Sequence, residues 1–212
     1  MSFFDDQVKH GKALKSKVVG IGGSPRKGGN SDILLKQILK GATENNIAAD
    51  SHQLRDFQYQ GCIGCERCRK DLLCTGLKDG MSLIYPDIVE SQGLILVSPT
   101  HNYNVTAWVK AFIDRLYCFY KFDTNRPRGW SSLLAGQGRK AIIAAICEQE
   151  SKEDMGFTLE AMRLPLEALG YEVIGSLPVF SVFDRAKVKD NSEVLTEATR
   201  LGSELAEALL RS

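Results

Sequence analysis

Four of the six cysteines sit between residues 62 and 74, as Cys62, Cys65, Cys68 and Cys74, in the pattern C-x2-C-x2-C-x5-C. Close, regular spacing lets one loop turn several thiolates toward a single centre. Four-cysteine sites suit a [4Fe–4S] cluster or zinc. Successive x2 gaps favour the cubane, whereas structural zinc usually draws on two separated pairs. Zinc, redox-active thiols, or cysteines that hold nothing remain open alternatives. Arg67, Arg69 and Lys70 would partly offset the charge of a thiolate-bound centre. Cys118 and Cys147 stand alone in apolar segments and read as core residues.

A second stretch with chemical potential is Gly22-Gly23-Ser24-Pro25-Arg26-Lys27-Gly28-Gly29-Asn30-Ser31. It follows a short apolar run and precedes a helical pattern. A helix start leaves backbone N–H groups unpaired and carries partial positive charge, which a phosphate satisfies. Ser24, Asn30 and Ser31 add short donors, and Arg26 adds a charged fork. The glycines, Gly29 among them, let the backbone come close to a ligand. Two better-known phosphate loops are excluded. In the nucleotide-triphosphate pattern, Gly29-Asn30 stands where Lys-Ser belongs. In the dinucleotide pattern begun at Gly20, Pro25 occupies the third glycine position. The simplest alternative is a Gly-rich turn with Asn30 capping a helix.

The elements around these loops follow from periodicity. Lys17–Gly22, Gly93–Ser98 and Arg139–Cys147 are continuous apolar runs and read as buried strands. Ser51–Phe57 is a weaker strand, and a fifth lies within Tyr171–Phe180. Asp32–Ala42, Val105–Tyr117, Asp154–Leu169 and Asn191–Leu210 carry helical stripes, with a kink expected at Pro165. Met81–Glu90 reads as a short helix disturbed by Pro86. Residues 61–76 read as an inserted Cys-rich loop, and 121–138 as a polar excursion. Trp108 falls on a core stripe. Alternating helices and apolar strands call for a parallel sheet covered on both faces. Five strands suit the order 2-1-3-4-5, with a ligand beyond the carboxyl ends of the first and third strands. The loops after Gly22 and after Ser98 should meet there. Residues 1–15 read as an N-terminal arm, and 16–212 as one domain.

Gly23-Ser24-Pro25-Arg26 with Gly29-Asn30-Ser31 resembles the signature of the NADPH-dependent FMN reductases and the related iron–sulfur flavoproteins. Ser98-Pro99-Thr100-His101-Asn102-Tyr103-Asn104, followed by Lys110-Ala111-Phe112-Ile113-Asp114-Arg115-Leu116, resembles their second signature. The cysteine spacing resembles the compact cluster motif of the iron–sulfur flavoproteins. The resemblance implies a flavodoxin-like three-layer sandwich binding FMN. Ser24, Arg26, Gly29, Asn30 and Ser31 would hold the FMN phosphate. Pro99, Thr100, His101, Asn102 and Tyr103 would line the isoalloxazine. His101 departs from the tyrosine or other bulky residue common in the family. Cys147-Glu148-Gln149-Glu150 should also approach the ring, with two acidic residues where relatives often have small ones. Trp130 would either cover a neighbouring subunit's flavin or anchor its own loop.

The implied activity is an FMN-dependent oxidoreductase that relays electrons between NAD(P)H or another donor, FMN and a [4Fe–4S] cluster held by Cys62, Cys65, Cys68 and Cys74. A cluster-free NAD(P)H-dependent FMN or quinone reductase is one alternative, and a non-catalytic flavin electron carrier or redox sensor is another. No catalytic acid or base is implied, because the cofactors carry the chemistry. The acceptor is a small molecule or a small redox protein, and the assembly a homodimer or homotetramer.

Bulk properties agree. A net charge of +1 over 212 residues gives no global field for nucleic acid or anionic membrane. Apolar runs are too short to span a bilayer. An acidic N-terminus unlike a secretory signal, with crowded cysteines, points to a reducing, cytoplasmic setting. Arg126, Arg128, Arg139 and Lys140 read as solvated charges or as partners for a nicotinamide phosphate.

Overall fold

The computed structural model describes residues 16–44 and 46–211. The expected arm, residues 1–15, lies outside the described residues. Five strands form one parallel sheet in the order β2-β1-β3-β6-β7: β1 (Lys17–Gly22), β2 (Ala48–Gln53), β3 (Gly93–Pro99), β6 (Lys140–Ile146) and β7 (Glu172–Val179). Strands β4 (Tyr120–Phe122) and β5 (Trp130–Ser132) pair separately as an antiparallel hairpin. With that hairpin set aside, the order is the expected 2-1-3-4-5, a flavodoxin-like sheet.

The central strands are apolar throughout because both faces are covered. Side chains alternate between faces, so neighbouring residues enter different cores. Val19, Ile21, Leu94, Leu96 and Ile143 pack beneath α3 (Tyr85–Glu90), α4 (Ala107–Arg115) and α6 (Thr158–Leu169). Val18, Ile95, Val97, Ile142 and Ala144 pack beneath α1 (Asn30–Thr43) and α7 (Ser192–Leu210). Helices α1 and α7 meet at glycines. A methyl group on Gly41 would lie 2.0 Å from the Thr199 carbonyl oxygen, and one on Gly202 would lie 2.0 Å from that of Ile38.

Several boundaries differ from the sequence reading. Strand β2 spans Ala48–Gln53 and gives way to a 3-10 turn at Leu54–Asp56. It is an edge strand with much of its surface in water, so its apolar pattern is weak. Pro86 opens helix α3 rather than disturbing it, since the first turn needs no N–H from that residue. Helix α6 runs through Pro165. It is preceded by a separate short helix, α5 (Lys152–Met155), which ends at Gly156 with φ 56°. Another short helix, α2 (Cys68–Asp71), lies within the cysteine segment. The polar excursion contains the β4–β5 hairpin, anchored by an aromatic cluster of Tyr117, Tyr120, Phe122 and Trp130. Trp108 is half-exposed on the outer side of α4, while Val109, Phe112 and Leu116 are buried.

Arg139 is neither solvated nor free for a cofactor. It is 2% exposed, and its guanidinium donates to the carbonyls of Ile88, Val89 and Ser91, each at 2.6 Å. It caps the carboxyl end of α3, where a cation is favoured.

Candidate functional site

The loop between β1 and α1 is pinned from three sides. The Gly23 N–H donates to the Val97 carbonyl at 2.8 Å, and the Thr106 hydroxyl donates to the Gly23 carbonyl at 2.8 Å. A methyl group on Gly23 would lie 2.0 Å from Val109 Cγ2, so only glycine fits between these chains. Below the loop, Arg55 donates two parallel hydrogen bonds of 2.8 Å to Asp32, and its Nη1 also reaches the Ser24 carbonyl at 3.0 Å. Asp32 accepts the Gly28 N–H at 2.7 Å. Arg55 and Asp32 carry no local motif, and the sequence reading did not select them. Helix α1 begins after Gly29 with no side-chain cap, which leaves first-turn N–H groups without the acceptor a capping side chain would supply.

Ser24, Arg26, Gly29, Asn30 and Ser31 line one cleft together with Pro99, Thr100 and His101. The second loop turns sharply. His101 and Asn104 exchange backbone hydrogen bonds at 2.8 and 3.1 Å, with left-handed Asn102 (φ 47°) and Tyr103 (φ 62°) between them. Two left-handed central residues make this a tight hairpin of the primed type. Thr100 is fixed by its N–H to the Ile146 carbonyl at 2.8 Å. Asn102 and Tyr103 sit at the hairpin tip, exposed and outside the cleft lining. Glu148 and Gln149 do line the cleft, as expected of the loop after β6.

A third wall was not foreseen. Val182, Phe183 and Arg185, from the segment after β7, close the cleft over the β1–α1 loop. Asn30 faces this wall. Its amide donates to the Asp184 carbonyl at 2.9 Å and its oxygen accepts the Val188 N–H at 3.1 Å. The Arg26 guanidinium lies 4.6 Å over the Phe183 ring and donates to the Phe183 carbonyl at 3.3 Å.

Cys62, Cys65, Cys68 and Cys74 are all free thiols lining a single separate cavity. Its other walls include Ile113, Tyr117, Tyr120 and Pro165. Among the described residues, no group of three or more His, Cys, Asp and Glu side chains is gathered closely enough to hold a metal ion. The thiols nonetheless feel one another. Burial pushes the Cys68 thiol up, and the nearby Cys74, Cys62 and Cys65 add to the rise. The buried core thiol Cys118 is pushed up to about 12, chiefly by burial, with Cys68 and Cys74 adding to it.

A buried ion pair closes the base of the cysteine loop. Arg115 donates to both oxygens of Asp79, at 2.6 and 3.0 Å, and to the Gln60 carbonyl at 2.9 Å. Asp79 also accepts the Gln60 and Met81 N–H groups. Burial pushes the Asp79 carboxyl up, but these hydrogen bonds and the guanidinium charge outweigh it and hold it below its ordinary value.

Comparison with known proteins agrees with this geometry. The family described as NADPH-dependent FMN reductase matches residues 16–149. The chain belongs to that family. Membership makes it an FMN-dependent oxidoreductase. Among the family's relatives, an iron–sulfur flavoprotein of Archaeoglobus fulgidus is 32% identical over 192 residues, covering 91% of this chain and 80% of that protein. An iron–sulfur flavoprotein of Methanocaldococcus jannaschii is 35% identical over 99 residues, covering 47% of this chain and 51% of that one. In structure, an FMN-dependent NADH-azoreductase from Bacillus anthracis, solved with FMN, superposes with a TM-score of 0.66 at 19% identity. That match covers 90% of this chain and 99% of that one and shows the shared fold. Among the described residues, no helix is long and apolar enough to cross a membrane.

Proposed function

We propose that this member of the FMN reductase family binds FMN in the cleft beyond β1 and β3, takes electrons from NAD(P)H, and passes them through a [4Fe–4S] cluster on Cys62, Cys65, Cys68 and Cys74 to a small acceptor. The observation that carries the flavin site is the convergence of Ser24, Arg26, Gly29 and Ser31 with Pro99, Thr100 and His101 on one cleft at an uncapped helix start. The first-turn N–H groups and the Ser24 and Ser31 hydroxyls hold the phosphate. Pro99, Thr100 and His101 form the wall for the ring, and the Asn102–Tyr103 turn sets their direction. When bound, FMN supplies hydride acceptance and one- or two-electron delivery. The chain supplies position and a shielded pocket.

The cluster reading rests on four free thiols lining one cavity and on the names of the Archaeoglobus and Methanocaldococcus relatives. A second reading, a reductase without a cluster, is favoured by the looseness of the thiol arrangement. Both readings include assembly as a homodimer or homotetramer in the cytoplasm.

Anaerobically purified protein, assayed for iron, acid-labile sulfide and quinone-dependent NAD(P)H oxidation, tests the proposal. The expected result is about four iron and four sulfide per chain, as one cubane requires, with steady NAD(P)H consumption. Iron-free protein that still turns over is the cluster-free reductase. Absence of NAD(P)H oxidation removes the nicotinamide donor.

A further inference from the structure

The segment after β7 crosses the cleft as a strap, and its hydrogen bonds show how it is held. At one end the Ser181 N–H donates to the Gln149 carbonyl at 3.1 Å and the Val182 N–H to the Cys147 carbonyl at 3.2 Å. At the other, Asn30 takes the Asp184 carbonyl and the Val188 N–H on its two amide atoms. Ser181 (φ 58°) and Ala186 (φ 65°) bracket the strap in left-handed conformations that residues other than glycine seldom adopt. Such a backbone persists when surrounding contacts over-determine it. Four separate hydrogen bonds do so here.

Asn30 is therefore occupied with the strap and has little left to offer a phosphate. Arg26 in the loop and Arg55 beneath it are occupied too. Arg55 is spent on Asp32 and the Ser24 carbonyl, and Arg26 is laid over Phe183 with Nη1 on a strap carbonyl. Arg185 differs. It lines the same cleft, and its Nη2 lies 3.1 Å from the position of a Cβ on Gly28, at the mouth of the phosphate loop. Among the described residues, no carboxylate or carbonyl accepts from its guanidinium.

We infer that Arg185 is a cationic ligand of the flavin phosphate, delivered to the β1–α1 loop by a strap that Asn30 fixes in place. The inference rests on the FMN reading above and deepens it. A dianionic phosphate at a helix start gains from a planar, always-charged fork on its open side. The strap places that fork opposite the first-turn N–H groups, so the phosphate is held from the helix below and from Arg185 above. Asn30 is thus a positioning residue, and the specificity it serves is for flavin that carries a phosphate over flavin that lacks one.

The test compares FMN with riboflavin. Full-length protein is freed of flavin and titrated with each compound, following quenching of flavin fluorescence, for wild type, Arg185→Gln and Arg185→Lys. Arg185 is exposed, so neither replacement disturbs the core. The expected result is FMN binding weakened about tenfold in Arg185→Gln, or about 1.4 kcal/mol, with riboflavin binding unchanged. Arg185→Lys recovers part of the loss, and the wild-type preference for FMN shrinks as salt rises, because an exposed charge is screened. Retention of the full FMN preference in Arg185→Gln overturns the inference. So does an equal loss for both flavins, which would mark a purely structural role. If wild type binds neither flavin, the FMN reading itself fails, and this outcome is distinct from the other two.

Discussion

Arg55 shows how the shape of a candidate binding loop is set by a residue outside the cleft lining. Its paired hydrogen bonds to Asp32 and its bond to the Ser24 carbonyl set the curvature from which the loop's N–H groups point. Both side chains of the pair are largely shielded, so Arg55→Met strands a carboxylate and costs about 3 kcal/mol. FMN affinity should also fall about tenfold, measurable by fluorescence titration of the variant. That Ser24, Gly29 and Ser31 share one loop at a helix start was legible in the sequence because a glycine-rich turn between an apolar strand and a helical stripe has a local meaning. Arg55 was not, because its partner lies 23 positions away and only the fold joins them. Asn30 was half legible: its residue type marked it, but its partners come from a segment 154 positions later. Asp79 yields a pH prediction at the same scale. Its carboxyl is held below the ordinary value, so its contribution to stability is full above about pH 4, the unfolded carboxylate value, and is lost as pH falls through the lower folded value. Acid unfolding of wild type should show this component, and Asp79→Asn, already less stable at neutral pH, should lack it.

At the scale of elements, apolar continuity made the central strands readable, and edge exposure blurred β2. The β4–β5 hairpin was hidden because its strands are three residues each and are held by aromatic contacts rather than by a period. Arg139 was misread for a related reason: a cation before an apolar run looks solvated until the helix end above it is known. Arg139→Met leaves three buried carbonyls without a donor. The expected cost is about 3 kcal/mol, seen as a Tm lower by roughly 6–12 °C in a thermal melt. The α1–α7 contact makes a similar demand on shape. Gly202→Ala places a methyl group 2.0 Å from the Ile38 carbonyl oxygen. Forcing the helices apart should cost about 1–3 kcal/mol, read as a lower urea midpoint.

At the scale of the whole molecule, the sheet order puts the proposed flavin cleft at its reversal point, as a parallel sheet of this kind dictates. The cysteine cavity lies against α4 and α6, with its loop closed at the base by Arg115 and Asp79. The two sites have separate walls. Replacing Cys62 and Cys65 together by Ser should therefore abolish bound iron while leaving FMN affinity within about twofold, measured on the same anaerobic preparation. The central claim is that a phosphate sits at the start of α1, and Ser31→Asp tests it most directly. Ser31 is buried in the first turn of α1 and lines the cleft. A carboxylate there meets the positive end of the helix dipole, which offsets part of the cost of charging a buried site, and it occupies and repels the place of the phosphate. The account predicts that titrated FMN binds Ser31→Asp about a hundredfold or more weakly than wild type, while the flavin-free variant still unfolds in one cooperative transition. Wild-type FMN affinity in that variant would contradict it.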